Sequence, residues 1–329
     1  MSIKLIAGGM ATIFMAMTTL CVAADEPDYP VRPIKLVVPQ ASGGGADTLG
    51  RLWASWATEK LGQPTYVENR PGANGVIAVS NVRQQKNDGY TVLLAGVSQL
   101  AFNPYIYSNL PYNVAQDFDG AAMLVNTPTL VISSKSSGIS DFAQFVSMSR
   151  AHPGQLNFSS AGVGNSSHLA IEMIAKRLNL QLTHVPYNGI AAAENSILAG
   201  QTDILADVLS SALTQVKAGK ANALAIIGSK QDPDLSGIPT IAQAVGSPDF
   251  PLPGWYALLV PKGTPPSIIT KLNTVTQQFF DDPQIKQKLN SLKLEAWPSK
   301  PEDVLAQVER DASIWAPLIE ELELSNELK

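Results

Sequence analysis

Ile34-Lys35-Leu36-Val37-Val38-Pro39-Gln40-Ala41-Ser42-Gly43-Gly44-Gly45-Ala46-Asp47 passes from a β-branched apolar run, through a proline, into three adjacent glycines. Leu49, Leu52, Trp53 and Trp56 follow at helical spacing, and Gly62 stands just past Leu61 as a stop. The stretch therefore reads as a buried strand, a glycine-rich loop and an amphipathic helix. Such a loop lets backbone approach a ligand closely. The helix start adds unpaired N–H donors and the positive end of a dipole, which together suit a carboxylate or phosphate. It is not a P-loop, because Gly50 is followed by Arg51 and Leu52, and its glycines lack the G-x-G-x-x-G spacing. A tight turn with Asp47 as helix cap explains the same residues equally well.

Outward from this loop the chain alternates strand and helix patterns. Tyr66-Val67, Thr91 to Ala95, Leu130 to Ile132, Leu156 to Phe158, Leu182 to Val185, Asp203 to Ala206, Ala223 to Ile227 and Trp255 to Val260 read as strands. Helices between them end at Gly200 and Gly219. This alternation predicts an α/β protein with mostly parallel sheet covered on both faces. The passage from Asp232 to Gly254 reads as a crossing back between lobes, and the tail from Pro265 is helical, interrupted at Trp297-Pro298. A second loop, Ser159 to His168, also leaves a strand and enters a helix. Ser160, Ala161, Gly164, Asn165 and Ser166 offer small side chains and backbone N–H groups there. Two such loops suggest two half-sites facing across a cleft. Neither holds Lys or Arg, so binding would rest on neutral donors strengthened by the ligand's charge, and two carboxylates would fit.

The ends and the composition narrow the class. Lys4, the apolar run Leu5 to Leu20 and Val22-Ala23-Ala24 read as a cleaved export signal over residues 1–24. Cys21 is the only cysteine; bulky Leu20 before it argues against lipidation, and an exported chain without disulfides must rely on its core. The net charge is −5, one unit more negative once Lys4 is removed, with no basic run. That argues against nucleic acid or an anionic membrane as partner. His152, His168 and His184 are scattered, so no zinc site is expected. A Ser160/His168/Asp207 triad lacks a nucleophile elbow, since no G-x-S-x-G occurs, and hydrolysis is disfavoured. Asp207 ends the run Ile204-Leu205-Ala206, where α/β sheets place ligands. The tryptophans sit in patterned segments and read as core.

In this order and spacing the landmarks resemble the extracytoplasmic solute receptors of tripartite tricarboxylate transporters, the Bug family. They include Tyr29-Pro30, the Pro39–Asp47 loop, Val67-Glu68-Asn69-Arg70-Pro71-Gly72, Asp88-Gly89-Tyr90, Ser167-His168-Leu169-Ala170, His184-Val185-Pro186-Tyr187 and Leu198-Ala199-Gly200-Gln201. The resemblance implies a type II periplasmic binding fold, two α/β lobes joined by crossing segments. Residues 25–124 and 239–329 would form one lobe and 125–238 the other. It implies a carboxylate held by Gln40, Ala41, Ser42, Gly44, Gly45 and Asp47, opposed by the second loop with His168, by the Tyr187 region and by Asp207. Gln40 replaces a usual aromatic, Ser42 a glycine or proline, Asn188 a basic residue, and Ser98-Gln99 the small residues after the third strand. These changes make the pocket more polar, with Ser98 and Asn188 part of it. The expectation is a monomeric periplasmic receptor without cofactor or metal, which passes a small organic acid, a dicarboxylate, to the transporter's membrane components. A ligand sensor for a membrane signalling system and, more distantly, a secreted hydrolase are the alternatives.

Overall fold

The computed structural model describes residues 29–248, 250–251 and 254–326. The expected export signal, with Lys4 and Cys21, lies outside the described residues. The strands in chain order are β1 (Ile34–Val38), β2 (Thr65–Asn69), β3 (Thr91–Gly96), β4 (Phe118–Asn126) and β5 (Thr129–Ser134). They continue with β6 (Asn157–Ser160), β7 (Thr183–Pro186), β8 (Ile204–Val208), β9 (Ala221–Ile227), β10 (Trp255–Pro261) and β11 (Glu295–Ala296). One sheet has the order β11-β4-β10-β3-β1-β2 and the other β7-β6-β8-β5-β9. Helices flank both, so the molecule is a two-sheet α/β protein.

The pairing is mixed rather than mostly parallel. Strands β1–β2, β1–β3, β6–β7 and β6–β8 are parallel, but β10 runs against both β3 and β4, and β5 against both β8 and β9. The antiparallel strands β5 and β10 are the ones that arrive from the other sheet. The link into β5 is too short to hold a helix that would carry the chain back to the starting end, and β5 runs against its neighbours. The outward crossing is the short link between Asn126 and Thr129, and the return lies between Ile227 and Trp255. The two lie side by side: Thr127 N–H donates to Gly254 O at 2.9 Å.

The helix Gly45–Leu61 sits tightly on the first sheet. A Cβ at Gly50 would meet Val38 Cγ2 at 3.1 Å and Leu94 Cδ2 at 3.4 Å, so glycine there sets the approach. Gly62 closes this helix in the left-handed conformation at φ 70°, its N–H donating to Thr58 O. Trp53, Trp255 and Trp315 are fully buried. The Trp53 and Trp255 indoles find partners in Thr276 Oγ1 at 3.0 Å and Asp311 Oδ2 at 2.6 Å. One apolar cluster runs continuously from Val37, Leu93 and Trp315 in the first sheet's layer to Phe158, Leu169 and Ile174 in the second. The two halves thus meet over packed side chains beside the crossings.

Candidate functional site

The first glycine loop leaves β1, and the helix Gly45–Leu61 begins at once. Its N-cap, Gly44, is extended (φ −79°, ψ 174°) and has no side-chain cap. The N–H groups of Gly45, Ala46 and Asp47 are therefore those that helix geometry leaves without an intrahelical partner. A Cβ on Gly45 would meet nothing within 4 Å, and one on Gly44 only Ala41 O at 3.5 Å and Gln40 Oε1 at 3.9 Å. The uncapped donors thus adjoin open space.

Asp47 holds this shape from below without capping the helix. It is 3% exposed, and its Oδ2 accepts from Gly43 N–H at 2.9 Å, Arg51 Nε at 2.9 Å and Ser42 Oγ at 3.3 Å. Its Oδ1 accepts from Asn69 Nδ2 at 3.0 Å. Burial alone would raise its pKa, but the hydrogen bonds from Arg51, Gly43 and Asn69 override it and hold the carboxyl at about 2. The anionic Asp47 thus takes up the nearby Arg51 cation and leaves the backbone donors to the open side. Gln40 turns its amide onto the Tyr256 hydroxyl at 2.9 Å, and its carbonyl accepts from Asn69 Nδ2 at 3.1 Å. Ala41 and Ser42 are exposed.

The second loop leaves β6, which lies between β7 and β8. Asn165 caps the helix Ser166–Leu178, accepting from Ser167 N–H at 3.0 Å, and Ser167 Oγ in turn accepts from Ala161 N–H at 2.9 Å. Gly162 and Gly164 both take positive φ, 132° and 70°. Ser160 is fully buried; its hydroxyl lies 2.6 Å from His184 Nε2 and accepts from Gly162 N–H at 3.1 Å. His168 is 3% exposed, and its Nδ1 accepts from Gly164 N–H at 3.1 Å, so that nitrogen carries no proton. The His168 and His184 rings stack at 3.7 Å and 11°, and the Phe158 ring stacks on His184 at 4.8 Å. Burial, then the neighbouring His168, push the His184 pKa down to about 3, so that ring is neutral near pH 7. The Ser–His contact thus pairs Ser160 with His184, not with His168.

Asp207, on β8, lies two positions beyond the stretch that pairs with β6. It is 4% exposed; one carboxylate oxygen accepts from Val208 N–H at 2.7 Å while Oδ2 is buried without a partner. Burial raises its pKa to about 7, Val208 N–H opposing and the Glu194 carboxylate reinforcing. The segment after β7 lies against the second loop: Tyr187 N–H donates to Ser160 O at 3.0 Å and Gly189 N–H to Ala161 O at 3.3 Å. Tyr187 is half-buried, and Asn188 and Ser166 are exposed and half-buried respectively. Ser98 is buried at the end of β3 beside Gln99, whose amide braces Gly96 N–H at 3.1 Å and Asn74 O at 3.1 Å.

The two loops are thus each built at the carboxyl end of a parallel strand, one per sheet. Gly164 meets the other half from the second loop, because Ile106 Cδ1 occupies the face where a Gly164 Cβ would stand, 2.4 Å away. A separate groove of about 670 Å³ lined by Phe142, Val146, Arg150 and Leu178 touches neither loop. The braces Asn69, Gln99 and His184 have no glycine-rich signal of their own. Only the strand register, which sets His184 opposite Phe158, shows that His184 shares a face with Ser160.

Residues 49–324 match the family described as tripartite tricarboxylate transporter family receptor. A Pseudomonas sp. (strain P51) protein, the UPF0065 protein in the tcbD-tcbE intergenic region, is 32% identical over 96% of this chain and 94% of its own. The solved structure of Rhodopseudomonas palustris MatC with bound malate has a TM-score of 0.78 at 29% identity, covering 88% of this chain and all of that one. R. palustris Rpa4515 with adipate has a TM-score of 0.82 at 31% identity, covering 89% of this chain and 98% of that one. The chain belongs to the tripartite tricarboxylate transporter receptor family and is a solute-binding receptor, not an enzyme.

Proposed function

We propose that this receptor closes two lobes around a small organic acid, a dicarboxylate, in the periplasm and delivers it as a monomer to the membrane components of a tripartite tricarboxylate transporter. The lobes are residues 25–124 with 239–329, and 125–238, after an export signal at 1–24. The observation that carries the reading is the uncapped helix start at Gly44-Gly45, facing open space beside a carboxylate already neutralised by Arg51. Backbone donors at a helix N-terminus bind anions without needing a cation.

Ala41, Ser42, Gly44 and Gly45 with Gln40 take one carboxylate. Ser160, Ala161, Gly164, Asn165 and Ser166 take the other, with Tyr187, Asn188, Ser98 and Asp207 along the wall and Asp47 and His168 beneath the loops. The neighbours' adipate and malate, both dicarboxylates, support this ligand class. Because the ligand contacts both lobes only when they approach, binding favours closure. A thermal-shift screen with malate, adipate, succinate, citrate and acetate tests the class: dicarboxylates raise the melting temperature most. A chain stabilised by none of them is not a carboxylate receptor.

A further inference from the structure

The Ser160–Ser167 loop is fastened to two aromatic rings. Gly164 N–H donates to His168 Nδ1 at 3.1 Å, and Gly162 N–H donates to Ser160 Oγ, which meets His184 Nε2 at 2.6 Å. The rings come from different elements, His168 from the helix Ser166–Leu178 and His184 from β7, yet they stack at 3.7 Å. Phe158 completes the stack. A proton on His168 Nδ1 would turn that acceptor into a donor aimed at Gly164 N–H. A proton on His184 Nε2 would make the ring the donor to Ser160 Oγ and turn the Ser160 hydroxyl towards Gly162 O, 3.2 Å away, reorganising the bonds at Gly162. A cation on either ring would face the other at van der Waals distance.

We propose that His168 and His184 are positioning residues, whose unprotonated ring nitrogens fix the second glycine loop so that it keeps its anion-binding shape only while both rings are neutral. The charged group that the structure sets against the pair is Glu172, whose Oε1 lies 3.6 Å from His168 Nε2 on the same helix. From β6 the pair meets Phe158 and Ser160, neither of which ionises in the range where histidine does. Glu172 favours a proton on the far side of His168, Nε2, which keeps Nδ1 free for Gly164. Burial, then the neighbouring His168, lower the His184 pKa and so keep that ring neutral. The consequence for affinity rests on the carboxylate reading above; the loop geometry does not.

The experiment follows ring nitrogens and the Gly162 and Gly164 amides of the whole receptor by ¹⁵N nuclear magnetic resonance, in a titration from pH 8 downwards. The expected result is that both amides shift, and that their protection against exchange, relative to the intrinsic rate at each pH, falls at least tenfold at the pH where the rings take protons. His184→Gln keeps an acceptor that does not titrate, and is expected to abolish the response at Gly162. His184→Phe keeps the stack without the acceptor, and is expected to speed Gly162 exchange already at pH 8. Amides that stay unchanged while the rings protonate, or a His184→Gln receptor with the wild-type response, would overturn the proposal. With malate and adipate as probes, the readout is the ratio of wild-type to His184→Gln affinity at each pH, because protonation of the probes' own carboxylates affects both proteins alike. The ratio is expected to fall at least tenfold across the same midpoint. Amides that follow the rings without any probe binding at pH 8 support the positioning role and sink the assignment of the loop as a carboxylate site.

Discussion

At the residue scale two aspartates, both buried, are poised oppositely, and stability against pH distinguishes them. Asp47 carries its charge into a cage of four donors, so its folded pKa, about 2, lies below its ordinary value of 3.8. A depressed acid contributes stability that is complete above the unfolded pKa and disappears as pH falls from about 4 to about 2, here about 2 kcal/mol. Asp47→Ala leaves Gly43 N–H, Asn69 and Arg51 without their acceptor and should cost roughly 2–3 kcal/mol at pH 7 in denaturant unfolding. A loss under about 0.5 kcal/mol would show that solvent replaces the cage. Asp207 is the reverse, with a folded pKa raised to about 7 by burial. Its contribution is complete below about pH 4 and is lost as pH rises through about 7. Asp207→Asn should therefore remove this loss and gain more than about 1 kcal/mol relative to wild type at pH 8. A constant difference between variant and wild type from pH 4 to pH 8 would rule out the raised pKa.

At the element scale the two glycine loops look alike in sequence but answer differently to the same change. Gly45→Val places its side chain in open space at a backbone conformation any residue can adopt, so unfolding free energy should change by less than about 1 kcal/mol while calorimetric binding of malate or adipate disappears. Gly164→Val must take a positive φ of 70° and meet Ile106 Cδ1, so it should lower stability by about 2 kcal/mol or more whatever it does to binding. Retained affinity in the soluble Gly45→Val receptor would remove the first loop from the site. The strand–loop–helix units were legible because β1 is an apolar, β-branched run, Leu156 and Phe158 mark β6, and helical spacing follows each loop. Strand β4 was not, because Phe118-Asp119-Gly120-Ala121-Ala122-Met123 shows neither alternation nor β-branched residues. Its interior is set by packing instead: a Cβ at Gly120 would stand 2.5 Å from Pro301 O and 2.6 Å from Val304 Cβ of the helix Pro301–Glu321. The bracing contacts were not legible: Asn69 and His184 stand in recognised landmarks, but only the pairing of β2 with β1 and of β7 with β6 brings them to Asp47 and Ser160.

At the scale of the whole molecule the question is what holds the two halves in register when no ligand bridges them. The crossings supply a pivot: Thr127 N–H is bonded to Gly254 O, and a Cβ at Gly254 would meet Thr127 Oγ1 at 2.1 Å. Away from the pivot, Ile106 presses Cδ1 onto the bare face of Gly164, and an exposed ion pair joins Lys176 to Glu321. The ion pair is solvent-exposed and contributes little. Ile106, fully buried in the cluster that spans both sheets, contributes more. Ile106→Val deletes Cδ1, the carbon nearest that face, costing about 1 kcal/mol of folding stability. Under the proposed closure of two lobes this contact forms only when the halves come together, so its loss is expected to disfavour closure before any ligand arrives. A ligand that needs the closed state then binds with an affinity reduced by the fraction of molecules still able to close. The expected outcome is a larger radius of gyration for the free Ile106→Val receptor in small-angle scattering, compaction restored by saturating dicarboxylate, and affinity weaker by about two- to tenfold. Lost affinity without any change in the free receptor's dimensions would mean that Ile106 shapes the loop locally and does not govern closure.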